Sequence, residues 1–153
     1  MPRHQAMIVT CMDGRIDPAH LLQLDLGDAL VIRNGGGRVT DDVVHEVAFI
    51  GAITDMMLGD EALPFEVAIV HHTGCGTGFL ADPGFRATLA ETTGVTDDQL
   101  AHQAVVDPHA TVRADVEHLS RHPARPTRAL VSGHVYDVET GVISTIVPAD
   151  DVA

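Results

Sequence analysis

Residues 66–75 read EVAIVHHTGC. Glu66 to His71 is a short apolar run with no helical period. Pro64 precedes it and the glycine-rich HHTGCGTG follows, which predicts a buried strand opening into a functional loop. Ala6 to Thr10 has the same character and runs into CMDGR, Cys11 to Arg15. Asp17-Pro18 then supplies an N-cap followed by proline at the first helical position. A second strand is read at Ala29 to Arg33. Thr40-Asp41-Asp42 caps a helix on which Val43, Val47, Ile50, Thr54 and Met57 recur at spacings of three and four. Downstream, Asp82-Pro83, a capping box from Thr96 to Gln99, and Asp107-Pro108 each announce a helix. The last of these carries Val112, Val116 and Leu119 on one face. Arg128 to Val135 reads as a fourth strand, and Glu139-Thr140-Gly141 turns the chain into a last one, Val142 to Val147. Parallel neighbours need crossover connections. Strands alternating with helices therefore predict an α/β fold: a mainly parallel central sheet of four strands plus a C-terminal edge strand, flanked by helices.

The chain has 153 residues, 45% of them apolar, which suits a single domain over residues 1–153 with a substantial core. No apolar run approaches the ~18 residues of a membrane span. The formal charge of −13 repels nucleic acid and anionic membranes, so neither is expected as a partner. All nine basic residues are arginine. The absence of lysine excludes a Schiff-base enzyme and a Walker-type phosphate loop. Gly74-Cys75-Gly76-Thr77-Gly78 has Phe79 where a dinucleotide fingerprint needs its third glycine. A phosphatase-like Cys-x5-Arg loop fails at both cysteines, with Asp17 and Ala81 at the arginine positions.

Cys11 and Cys75 are the only cysteines, and His72 stands three residues before the second. Two thiolates and one imidazole offer three zinc ligands and leave a fourth tetrahedral position open, the arrangement of a catalytic rather than a structural zinc. The predicted strands bring Cys11, His72 and Cys75 to one place, beyond the carboxyl ends of the first and third strands, where open α/β sheets collect ligands. In an extended segment, residues two apart share a side, so Asp13 is expected to face where Cys11 faces, with Arg15 close enough to hold it. Asp13 and Arg15 are the candidate catalytic pair, orienting an attacking water whose pKa a zinc ion lowers toward ~7.

Other readings stay open at this stage. The cysteines could be buried thiols or a disulfide. Asp13 and Arg15 could form only a loop ion pair or an Asx-turn, or Asp13 could be a fourth zinc ligand that closes the site. His71 competes with His72, but a spacing of three to Cys75 suits a short zinc chelate. The remaining histidines, His4, His20, His45, His102, His109, His118, His122 and His134, show no partner spacing. No secretory segment precedes residue 6, so the cytoplasm is the expected compartment.

Cys11-x-Asp13-x-Arg15 and His72-x-x-Cys75, with Arg33-Asn34-Gly35-Gly36 and GHVYDVETG from Gly133 to Gly141, resemble the signatures of the β-class carbonic anhydrases. The resemblance spans most of the chain and is closest to a short bacterial subgroup. It implies one Zn2+ per chain on Cys11, His72 and Cys75, an orienting dyad of Asp13 and Arg15, and reversible hydration of carbon dioxide to bicarbonate and a proton. It also implies a homodimer or homotetramer. Carbonyl sulfide or carbon disulfide hydrolysis at the same site is the alternative, since members of that subgroup act on those molecules. A non-catalytic zinc-stabilised oligomeric module is a further one.

Overall fold

A computed structural model describes residues 2–149. Its five strands are β1 (Ala6–Cys11), β2 (Ala29–Asn34), β3 (Phe65–His72), β4 (Ala129–Tyr136) and β5 (Ile143–Val147). They form one sheet in the order β2-β1-β3-β4-β5. The first four are mutually parallel and β5 lies at the edge beside β4, as the sequence predicts, and it runs antiparallel to β4. Five helices connect them: α1 (Pro18–Leu22), α2 (Asp41–Leu58), α3 (Pro83–Thr93), α4 (Asp97–Gln103) and α5 (Pro108–Arg121).

Each helix starts where its cap residue dictates. Asp17, Thr40, Asp82, Thr96 and Asp107 each accept a hydrogen bond from a backbone N–H of the first turn, and Thr96 and Gln99 close a reciprocal capping box. One face of the sheet carries the core. Met7, Val9, Val67, Ile69, Val131 and Val135 pack there with Val43, Val44 and Val47 of α2 and Val112, Val116 and Leu119 of α5. The predicted face of α2 is correct except at its end: Met57 is 63% exposed, while Val44 and Gly51 are buried. On the other sheet face α1 lies over Ile8, Thr10 and Val70. Val31 and Ile143 on β2 and β5 remain exposed.

The connection after β1 leads to β2 on one side, and the later strands add on the other side. The winding therefore reverses between β1 and β3, and a crevice forms at the carboxyl ends of those two strands. Both strands run one residue further than the sequence reading placed them. Cys11 closes β1 and His72 closes β3.

Candidate metal centre

The crevice brings Cys11, His72 and Cys75 together, with one ligand atom from each lying within 4.8 Å of the others. Cys11 and His72 are buried, and Cys75 is half-buried. The two Sγ atoms are 3.9 Å apart. That is far beyond a disulfide bond and close to the ~3.8 Å edge of a tetrahedron with Zn–S bonds of ~2.3 Å. His72 donates from Nδ1 to the carbonyl oxygen of Thr73 at 2.9 Å. The tautomer thereby assigned leaves Nε2 with its lone pair bare, and that buried atom has no hydrogen-bond partner. An orphaned imidazole nitrogen beside two sulfurs is a donor set that fits a soft or borderline divalent ion.

The two neighbouring histidines are separated by strand alternation. The His71 ring lies on the core side, with Nε2 3.2 Å from both the Gly37 carbonyl oxygen and Asp115 Oδ2. It belongs to a buried polar cluster and not to the group of Cys11, His72 and Cys75.

The two thiols are in hydrogen-bond contact. The contact with Cys75, reinforced by burial, pushes Cys11 up to about 11, and the same contact brings Cys75 down to about 6. Hydrogen bonding from the backbone of Asp13 and Gly36 works the other way on Cys11, and Thr77, with Oγ1 3.1 Å from Cys75 Sγ, lowers Cys75 further.

Asp13 and Arg15 meet, by a route other than the expected one. The extended segment stops at Cys11, and residues 13–16 form a turn closed by Ile16 N–H donating to Asp13 O at 3.2 Å. The Asp13 carboxylate accepts from the Arg15 backbone N–H at 2.9 Å, which is an Asx-turn. It also takes both arms of the guanidinium, Nε to Oδ1 at 3.0 Å and Nη2 to Oδ2 at 2.7 Å. These hydrogen bonds hold the Asp13 carboxyl far below the usual carboxylate range, outweighing the opposing effect of burial. Arg15 Nη2 further donates to Gly74 O at 2.9 Å, tying the β1 loop to the β3 loop.

The roles of several supporting residues escaped the sequence reading. Arg33 donates to Cys11 O at 3.0 Å and Asp13 O at 2.7 Å, holding the segment between them. Asn34 brackets the glycine triplet, donating to Arg38 O at 2.8 Å and accepting from Arg38 N–H at 2.9 Å. Arg38 then forms a bidentate pair with Asp115, at 2.8 and 3.0 Å. The readable signal for Asp115 was a lone carboxylate on the apolar face of α5, between Val112 and Val116.

Residues 6–143 match the family model described as carbonic anhydrase. β-Carbonic anhydrase 1 of Mycobacterium tuberculosis is 31% identical over 147 residues, covering 96% of this chain and 85% of that protein. A carbon disulfide hydrolase of Acidithiobacillus thiooxidans is 29% identical over 155 residues, covering 88% and 73% respectively. Among solved structures, a carbonic anhydrase from Streptococcus mutans superposes with a TM-score of 0.75 at 35% identity, covering 95% of this chain and 82% of that one. A match to the family model over nearly the whole described chain, together with a relative above 30% identity, shows that the protein belongs to the β-carbonic anhydrase family.

Proposed function

We propose that this protein catalyses the reversible hydration of carbon dioxide to bicarbonate and a proton, using one zinc ion held by Cys11, His72 and Cys75. The observation that carries the reading is the convergence of two sulfurs and an unpartnered imidazole nitrogen at the sheet's winding reversal, beside a carboxylate already locked by arginine. When bound, zinc supplies Lewis acidity that brings the pKa of a coordinated water toward ~7. The protein's part is orientation. Asp13 stays ionised and accepts a hydrogen bond from the attacking water, which aims a lone pair at the carbon. Arg15 spends both arms of its fork on Asp13, so the carboxylate is restrained from swinging onto the metal as a fourth ligand.

Zinc analysis combined with stopped-flow hydration assays tests this. One zinc per chain and hydration lost on chelation are expected; full activity in metal-free protein would overturn the reading. The second reading is hydrolysis of carbon disulfide or carbonyl sulfide, favoured by the similarity to a carbon disulfide hydrolase over 88% of the chain. Sulfide release outpacing carbon dioxide hydration in parallel assays would establish it. Zinc-loaded protein inert in both assays would instead support the non-catalytic module.

A homodimer or homotetramer is proposed as the working assembly. Its support is the exposed apolar surface of α2 and the segment after it: Phe49, Met56, Met57, Leu58 and Leu63 are 42–79% exposed. No helix among the described residues is long and apolar enough to cross a membrane. Two free cysteines serving as ligands require a compartment that keeps thiols reduced, which supports the cytoplasm.

A further inference from the structure

The two sulfurs of the centre are not equivalent in what surrounds them. Cys11 Sγ has the other candidate ligands beside it, with Cys75 Sγ at 3.9 Å. Cys75 Sγ is met in addition by a side chain from outside the ligand set, with Thr77 Oγ1 at 3.1 Å. A cysteine that ligates a metal has lost its proton and can only accept a hydrogen bond. The hydroxyl must then be the donor.

The packing around Thr77 keeps it in this position. The glycine loop from Gly35 to Gly37 runs directly against it. A Cβ at Gly36 would come within 3.0 Å of Thr77 Oγ1, and one at Gly35 within 3.6 Å of its methyl group. The bare backbone at these two positions makes room for a β-branched side chain, whose χ1 is stiff.

We propose that Thr77 is a positioning residue of the metal centre: its hydroxyl donates to the Cys75 thiolate, aiming that sulfur and moderating how much electron density it gives to the ion. The proposal rests on the reading of Cys11, His72 and Cys75 as metal ligands. A hydrogen bond to a ligating sulfur stabilises its lone pairs, and less donation from sulfur leaves the metal a stronger Lewis acid. Thr77 therefore acts through Cys75 and does not touch the reacting atoms.

The test replaces zinc by cobalt(II) in the full chain and reads the sulfur-to-cobalt charge-transfer band, with metal affinity measured by chelator competition. Thr77→Val keeps the shape and removes the hydroxyl. The band is expected to move to lower energy and affinity to fall about tenfold. Thr77→Ser, which restores the donor, is expected to return both to the unmutated values. Thr77→Ala is expected to behave as Thr77→Val and carries the comparison if the valine variant does not fold. A charge-transfer band at its original energy in cobalt-loaded Thr77→Val or Thr77→Ala overturns the proposal. So does a serine variant that shifts as far as the valine one, because packing rather than the hydroxyl would then be responsible. If the unmutated protein binds cobalt with no thiolate charge transfer at all, the ligand assignment itself fails, and the two failures are told apart.

Discussion

Asp13 sits in the fork of Arg15 through two side-chain hydrogen bonds and one backbone hydrogen bond, so its geometry is set before any substrate arrives. Asp13→Asn preserves the shape and the metal ligands but replaces a charged acceptor with a neutral amide. Metal content is expected to stay unchanged while kcat falls about a hundredfold, within the range for a positioned acid–base group; unchanged turnover at full zinc loading would refute the orienting role. The thiols yield a second expectation. With Cys75 brought down to about 6 and Cys11 pushed up to about 11 by their contact, Cys11 keeps its proton between those values, and metal binding must expel it. Protons compete with the ion, so zinc affinity rises with pH by about tenfold per pH unit across that window, and falls more steeply below it as a second proton enters. Chelator competition from pH 6.5 to 8.5 measures the slope, and a flat response would exclude the thiols as ligands. The candidate dyad and ligand residues could be picked out of the sequence because each is chemically distinctive at a short fixed spacing, and the structure brings them together. Arg33 was quoted in a motif, but its role was not legible, because its targets are main-chain carbonyls of a segment twenty or so residues away.

At the scale of elements, the site depends on the glycine loop between β2 and α2. Gly37 has φ of +67°, and a Cβ there would lie 2.7 Å from Cys11 N and 2.8 Å from Thr10 C. Both the left-handed backbone and the close approach to the end of β1 require glycine. Gly37→Ala is expected to cost about 2–4 kcal/mol by combining backbone strain and overpacking. Metal affinity should fall with stability, because the displaced strand end carries a ligand; urea unfolding and zinc titration check the pair. The same loop is anchored to α5 by Arg38 and Asp115, with His71 of β3 against the same carboxylate oxygen, Oδ2, as Arg38 Nε. Burial alone would raise the Asp115 carboxyl, but the hydrogen bonds from His71 and Arg38 outweigh it and leave it below its usual value. A carboxyl depressed in the folded state stabilises the fold above the unfolded value of ~3.9, and that contribution is lost as pH falls through the folded one. Asp115→Asn is expected to cost about 3–5 kcal/mol at neutral pH, because Arg38 is left unpaired. It should also flatten the acid limb of stability below about pH 4. Urea midpoints at pH 7 and pH 3.5 test both expectations, and equal losses at the two values would refute the linkage. Caps and strand runs were readable here because they depend on neighbours in sequence. The clamp was not, because Arg38 and Asp115 are 77 residues apart and only packing of α5 beneath the sheet unites them.

At the scale of the whole molecule, the core lies on one side of the sheet and the outer surface of α2 is left apolar, with Phe49 57% and Met56 79% exposed. Placing a charge on each, Phe49→Asp with Met56→Asp, is expected to halve the molar mass seen by light scattering if that surface joins protomers. A monomeric unmutated protein would remove the proposal. The amino-acid sequence alone determined the α/β class and the mainly parallel sheet with its edge strand, and it singled out Cys11, His72, Cys75, Asp13 and Arg15 as the candidate ligands and dyad. Hydrophobic period, caps and ligand chemistry are all written within short windows. Tertiary structure decided the rest. It placed the winding reversal between β1 and β3, set β5 antiparallel to β4, sent the His71 ring to Asp115, and substituted an Asx-turn for the extended segment expected at Asp13. It also brought Arg33, Arg38, Thr77 and Asp115 in behind the site. Those outcomes depend on which distant segments share a crevice, and no local propensity encodes that.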